Sequence, residues 1–395
     1  MRIGYVMAYT RGHNNYGTSL QGYALLKVLQ RLGHDVEIIN YEKRSCVKEK
    51  VVWVINAIRI GEWHEVASRL KGNHILYKLH QDFAQNISKR TEAVDAYKAK
   101  KLLPQFQRYV GYAALHEGSK RYDAVVVGSD QVWTPMGLPT RFYNLLFVDD
   151  RVRKVAYASS FGVSDIPDFQ KEQTGMYLDR FHAIGVREQR GKEIVEALSH
   201  QQVQVVADPT LLLLGDQWKQ ELNEDISAST EKNRKRAEQG GYIFCYFLGS
   251  NQEARKAARD LQQLTGLRIL NIRHMDEYVA TDEQFGDEAP YDVDPNDFVR
   301  YVAHADYVCT DSFHCTVFSI IFHRRFMTFY RFAQTSKTGR NSRIDSLFQI
   351  ADIPHCHLFS GDIKNINETI DWEKTDLRIA SLRDKSIKFL QEALT

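Results

Sequence analysis

The stretch that most constrains this chain is Ala305 to Phe326, ADYVCTDSFHCTVFSIIFHRRF. It reads as a strand, a short polar loop and a helix. Tyr307 to Thr310 are β-formers. Asp311 and Ser312 are good helix N-caps. Cys315 to Phe322 is apolar on almost every side, as suits a helix buried in a large domain. A buried helix start aims unpaired backbone N–H groups and the positive dipole end into the loop, a natural anion site. Ser312 and His314 stand there, both able to donate hydrogen bonds, and His314 able to move a proton. On spacing alone, simple capping by Asp311 and Ser312 with His314 packed under a loop is an equally good reading.

The rest of the chain supplies a sheet for such a unit. Residues 2 to 9 read as a first strand and Arg11 to Gly17 as a polar loop. Thr18 to Leu32 is a helix with Leu25, Val28, Leu29 and Leu32 on one face, ended by Gly33. Asp35 to Asn40 is the next strand, so the chain opens with a β-loop-α-β unit of a parallel sheet. Its first loop lies at the carboxyl edge, where such folds bind ligands. The glycines make neither G-x-G-x-x-G nor a Walker loop, which excludes those nucleotide sites. Residues 44 to 120 are helix-leaning and amphipathic, an insertion packed on the sheet or partly lidding the cleft. Four short strands follow, Asp123–Val127, Lys154–Ala158, Ala183–Arg187 and Val203–Ala207, each running into a loop of Gly, Ser, Asp or Arg.

Residues 214 to 240 are polar and end at Gly240-Gly241, the best linker candidate. A second α/β set follows. It comprises strand Tyr242–Leu248, helix Gln252–Thr265, strand Arg268–Ile272, a helix capped by Asp294 before Pro295, the opening motif and strand Phe326–Tyr330. Residues 331 to 343 are basic without apolar periodicity and read as a mobile loop; Leu377 to Leu394 is a terminal helix. The expected fold is α/β, two Rossmann-like domains facing across a cleft. The first spans 1–214 with the insertion at about 44–120, the linker 215–240 and the second domain 241–395. The terminal helix is free to pack back on the first.

With 395 residues, 43% hydrophobic content and a net charge of +2, the chain is an ordinary globular protein, not a nucleic-acid specialist. Five scattered cysteines without C-x-x-C point to a reducing compartment. The start MRIGYVMAY has no signal-peptide pattern, and no apolar run approaches the roughly 18 residues of a spanning helix. VVWVINAIRI is nearest, and it is short and holds Asn56 and Arg59. The expected location is cytoplasmic, with room for peripheral contact at the inner face of the membrane through basic surface residues.

Metal ligation has weak support. His355-Cys356-His357 points alternate ways, His64-Glu65 lacks a second histidine at i+4, and Asp294 of the D-x-D pair Asp292/Asp294 already serves as a cap. No metal site and no cofactor are expected. Cys309 and Cys315 read as core residues. Arginines are better candidates. Arg187 ends a strand at the ligand edge, and Arg343 follows Ser342 after the basic loop; guanidinium forks suit carboxylate and phosphate.

Six segments carry a resemblance: NYG near Asn15, YDAVVVGSDQVW from Tyr122, KVAYASSFG from Lys154, AIGVREQRG from Ala183, ADPTLLL from Ala207, and the opening motif. In this order they resemble the polysaccharide pyruvyl transferase family, whose members move the enolpyruvyl group of phosphoenolpyruvate onto sugar hydroxyls as a pyruvate ketal. Where that family often has Asn-x-Gly-Asp, this chain has Asn15-Tyr16-Gly17-Thr18. The resemblance implies an architecture similar to GT-B glycosyltransferases, with the acceptor on the N-terminal side and the donor on the C-terminal side. It implies donor binding by Arg187 and donor-pocket and catalytic roles for Ser312 and His314; the residues themselves add Arg343 to the donor side and Asp311, equally a cap, to orient His314. Acceptor binding falls to Asn15, Gly17, Ser129, Asp130 and Gln131, the last three facing the cleft. The implied partners are phosphoenolpyruvate and a saccharide, lipid-linked in surface polysaccharide assembly; nucleic acid is not among them. The alternatives are a sugar-nucleotide glycosyltransferase of the same architecture and a carbohydrate- or anion-binding protein without turnover. Acceptor identity, ketal stereochemistry and oligomeric state are not written in the sequence.

Overall fold

Short apolar strands alternating with amphipathic helices build two parallel sheets in this computed structural model. It describes residues 1–8, 14–43, 47–61, 81–139, 141–223, 228–275, 278–331 and 341–395. Parts of three expectations lie outside these residues: the loop after the first strand, the middle of the insertion with His64-Glu65, and most of the basic loop 331–343.

The first sheet contains β1 (Arg2–Val6), β2 (Asp35–Glu42), β3 (Phe106–Val110), β4 (Ala124–Asp130), β5 (Arg153–Ser159), β6 (Ala183–Val186) and β7 (Val203–Val205). Its order is β3-β2-β1-β4-β5-β6-β7, and every neighbouring pair is parallel. The second contains β8 (Tyr242–Tyr246), β9 (Arg268–Asn271), β10 (Tyr307–Thr310) and β11 (Arg325–Thr328), in the order β11-β10-β8-β9, again all parallel. The central strands β4 and β8 are buried on both faces, which is why they read as unbroken apolar runs rather than alternating ones.

Helices α1 (Tyr16–Arg31), α2 (Val47–Arg59), α3 (Gln81–Lys101), α4 (Tyr112–Ser119), α5 (Asp168–Leu178) and α6 (Gln189–Leu198) accompany the first sheet. α1 begins two residues earlier than the apolar spacing suggests. Tyr16 is fully buried, stacks on Phe298 at 4.7 Å and donates its hydroxyl to Val293 O at 3.0 Å. Those partners belong to the second half of the chain, so a long-range contact sets the helix start. Arg90 on α3 makes a second tie, its guanidinium donating to Tyr291 O at 2.8 Å and Pro290 O at 3.0 Å.

Two expectations are corrected here. Residues 44–120 are not only helical: Phe106–Val110 is an edge strand paired with β2. Edge strands need little burial, and this one is mostly half-exposed, so its apolar signal is faint. The segment 215–240 is not an extended linker. It forms α7 (Gly215–Asn223) and α8 (Ala228–Glu238). Trp218 is fully buried with its indole N–H on Thr210 O at 3.0 Å, and Asn233 is buried against Asp297 at 2.8 Å. The polar composition is the solvated side of packed helices.

Around the second sheet lie α9 (Gln252–Thr265), α10 (Pro295–His304), α11 (Phe313–Ile321) and α12 (Ser342–Ala351). The last helix, α13 (Trp372–Ala393), reaches back to the first sheet: Ser386 Oγ accepts the Ala207 N–H at 2.8 Å and Phe389 lies against Tyr157.

Candidate active site

The site forms where both sheets change direction. In an open parallel sheet the crevice lies beyond the strand carboxyl ends, where neighbouring strands send their connections to opposite sides. In the first sheet that point is between β1 and β4, in the second between β8 and β10. The two crevices face each other, and the cavity between them measures ≈ 200 Å³.

From the second sheet, Ser312 caps α11, its Oγ accepting the Cys315 N–H at 3.4 Å. Asp311 secures the switch point, accepting the N–H groups of Leu248 at 2.6 Å and Gly249 at 2.8 Å beyond β8. Its carboxylate also lies 3.7 Å from Arg331 Nε. The carboxylate beside His314 is instead Asp208, with Oδ2 3.6 Å from Nε2. Asp311 therefore braces the loop, and the orienting role expected of it falls geometrically to Asp208. In the sequence Asp208 stands only in the ADPTLLL segment, without a role of its own. It does accept the Thr210 N–H at 3.0 Å, while its other oxygen serves the site. The signal was an acid directly after a strand at the ligand edge.

From the first sheet, Asn15 caps α1, its side chain accepting the Thr18 N–H at 3.2 Å. Thr18 donates to Asp130 Oδ2 at 2.8 Å, so the residue standing where the family often has Asp ties β1's loop to β4's. Gly17 is a packing position: a Cβ there would run into the His314 ring. Asp130 has φ +79°, a left-handed conformation that non-glycine residues seldom adopt. Asn15, Asp130 and Gln131 line the cavity with Ser312, His314 and Arg343. Ser129 does not. It is buried and hydrogen-bonds Gln21 on α1, because alternation along the strand turns it away from Asp130's side.

Arg187 is 4% exposed and lies one layer behind the cavity wall. Its Nη1 donates to Asp208 at 3.1 Å, Asp130 and Glu188 lie at 4.0 and 3.7 Å, and its guanidinium sits 4.9 Å from the Phe313 ring centre. Arg343 approaches the same ring at 5.7 Å. Phe313 thus packs against both arginines. Among the described residues no carboxylate is ion-paired with Arg343. Burial and the nearby Arg187 charge pull its pKa down to about 9, still cationic at neutral pH; an anion in the cavity would relieve both costs.

Burial alone would raise the Asp208 pKa, but His314, Arg187 and Thr210 outweigh it and hold Asp208 well below the usual carboxylate range. Asp130 is lowered in the same way, against its burial, by Arg187, His314, Arg343 and Thr18. Both are ionised at neutral pH. Several buried polar atoms at the cavity or one layer behind it make no hydrogen bond: Arg187 Nε and Nη2, Arg343 Nε, Glu188 Oε2 and His314 Nε2, all but Arg343 Nε standing at looser ion-pair distances from an opposite charge. Native interiors seldom leave such groups without a hydrogen bond, so their gathering around one cavity marks a candidate ligand site.

The other sequence candidates have structural work. Asp294 caps α10 by accepting the Asp297 N–H at 2.8 Å, and Asp292 faces Lys232 at 3.5 Å. Cys245, Cys309 and Cys315 are buried, and burial pushes the Cys245 and Cys315 thiols up, away from nucleophilic use. Among the described residues no cluster of three or more His, Cys, Asp or Glu is placed to hold a metal ion.

Solved structures share this architecture. UDP-GlcNAc 2-epimerase from Neisseria meningitidis, bound to UDP-GlcNAc, aligns over 99% of this chain and 100% of its own, with TM-score 0.51 and 9% identity. The UDP-N-acetylglucosamine 2-epimerase from Rickettsia bellii aligns over 100% of this chain and 97% of its own, with TM-score 0.51 and 11% identity. At these identities the likeness shows the fold, the GT-B type of two facing α/β halves. No curated protein matches the chain by sequence. The family model for polysaccharide pyruvyl transferases matches residues 15–331, from the cap of α1 to Arg331 at the cavity. The match takes in all the residues that line the cavity except Ala8 and Arg343, and the chain belongs to the polysaccharide pyruvyl transferase family.

Proposed function

We propose that the protein transfers the enolpyruvyl group of phosphoenolpyruvate to two hydroxyls of one saccharide residue, forming a pyruvate ketal and releasing phosphate. The observation that carries this reading is His314, set against ionised Asp208, in a cavity walled on one side by Arg343 and Arg331. Addition to an enol ether needs an acid at carbon, a clamp for a highly charged donor and a dry pocket. His314 is the acid that protonates C3. One sugar hydroxyl attacks C2 as positive charge develops there, and its proton returns to His314. The second hydroxyl then bonds to C2 as the C2–O bond to phosphate breaks. Phosphate leaves with the bonding electrons and takes the proton of the second hydroxyl.

Arg343 is the donor anchor, having no carboxylate to compete for it among the described residues; Arg187 holds Asp208 and Asp130 ionised and in place. Ser312 and the start of α11 complete the anion pocket. Asn15, Asp130 and Gln131 face it from the other half and suit sugar hydroxyls. The acceptor is a lipid-linked saccharide of surface polysaccharide assembly, met at the inner face of the membrane. The test is incubation with phosphoenolpyruvate and a panel of lipid-linked or aryl glycosides. The expected result is phosphate release matched by a product heavier by one pyruvate less one water. Phosphate release without a modified sugar on any acceptor would contradict the transfer.

A further inference from the structure

α2 wears its apolar side outward. Asn56 on this helix is 6% exposed, donating to Pro135 O at 3.0 Å and accepting from Gln170 Nε2 on α5 at 2.8 Å. Val51, Ile55 and Ile58 share the opposite, exposed side, with Ile58 62% exposed, and Val52, one turn before Asn56, is exposed at the groove. Phe169 and Met176 on the adjoining α5 are exposed as well, and Arg59 lies over Phe169 at 5.6 Å. These are six of the twelve exposed large hydrophobics among the described residues, gathered on two touching helices, which scattered surface leucines and valines would not be. Beside α2 opens an aromatic groove of ≈ 270 Å³ walled by Trp53, Tyr112 and Phe142. Lys43 and Arg141 lie on it, and none of its lining residues is acidic. The stretch from Gln131 to Tyr143 runs between groove and active-site cavity, since Met136, Pro139 and Phe142 line the first and Gln131, Val132 and Tyr143 the second.

We infer that the α2–α5 face with its aromatic groove is the surface by which the protein docks on an anionic lipid bilayer. An aliphatic stripe flanked by cations and aromatic rings is the chemistry of a helix lying in the headgroup boundary. The charge on the face leans positive: Arg59 on α2, Lys171 on α5 and Lys43 and Arg141 at the groove stand against Asp165, Asp168 and Glu172 at α5. The stretch that lines both places the docking face beside the active-site cavity, so a saccharide held at the bilayer stands near Gln131 and Tyr143. The docking stands on the surface alone and holds whether or not the ketal chemistry does.

Flotation with phosphatidylcholine vesicles, with and without a quarter phosphatidylglycerol, tests it. The protein should float with the anionic vesicles, partly lose them at high salt, and bind neutral ones weakly. The exposed double variant I55E/I58E should keep its melting temperature and lose vesicle partitioning by at least about tenfold. Ile58→Cys carrying an environment-sensitive dye should shift to the blue on vesicle addition, while the same dye on Leu264→Cys should not. Unchanged flotation of I55E/I58E, or no shift at position 58, would overturn the proposal. So would a change from dimer to monomer in I55E/I58E with vesicle binding intact, because the face would then be a contact between copies.

Discussion

Arg187 and Arg343 look alike in sequence and differ in what their loss does. Arg187 balances buried Asp208, Glu188 and Asp130, so Arg187→Ala strands buried charge and should cost about 3–5 kcal/mol of stability along with activity. Arg343→Gln removes a charge-assisted contact worth roughly 1.5–3 kcal/mol. It should weaken phosphoenolpyruvate binding by about tenfold or more in calorimetry, with the melting temperature nearly unchanged. His314→Ala should leave that binding largely intact and lower turnover by about 10² to 10⁴. Near-normal turnover at saturating acceptor would remove His314 from the chemistry. Asp208 sets a pH signature. Its folded pKa lies below its unfolded one, so its contribution to stability is present above the unfolded value of about 3.9 and lost as pH falls through the folded one. Below about pH 4 the wild type should lose stability more steeply than Asp208→Asn, which starts lower at neutral pH; equal slopes in thermal melts would contradict this. Arg187, Ser312, His314 and Asp130 were legible because each stands at a strand's carboxyl end or in the loop and helix start beyond it. Asp208 was half-legible, since the ADPTLLL segment put it after a strand without a role, and Ser129 was misread because its side of the strand faces inward.

At the scale of elements, two helix starts meet at the site, and the first makes room for the second. Gly17 in the first turn of α1 lies where a Cβ would displace the His314 ring. Gly17→Ala should therefore act at a distance in sequence, pushing His314 off Asp208. Turnover should fall toward that of His314→Ala, at a stability cost of about 1–3 kcal/mol. Normal turnover in that variant would show that the ring has slack the packing does not suggest. Tyr16 and Thr18, on either side, are committed to the second half of the chain and to Asp130. The strand-loop-helix units at both switch points were readable from β-formers followed by caps. β3 and the helices α7 and α8 were not, because a short edge strand and two polar helices owe their form to neighbours: β2 for the one, Thr210, Asp292 and Asp297 for the others.

At the scale of the whole molecule, the two sheets present complementary edges, one with Asn15, Asp130 and Gln131, the other with Ser312, His314 and Arg343. In the proposed reaction the donor's charge is met by arginine and a helix start, so phosphoenolpyruvate should bind with unchanged affinity in a chelator. Binding that vanishes there and returns with magnesium or manganese would bring the Asp292/Asp294 pair back into consideration. The central claim is that C3 gains a proton and that the bond between C2 and the bridging oxygen of the donor then breaks. The direct measurement is one incubation in heavy water, with a heavy-oxygen label at the bridging position of phosphoenolpyruvate and a competent glycoside. The account predicts that the label leaves entirely in phosphate and that the ketal methyl carries a single deuterium. Label retained in an organic product, or a methyl group without deuterium, would contradict it.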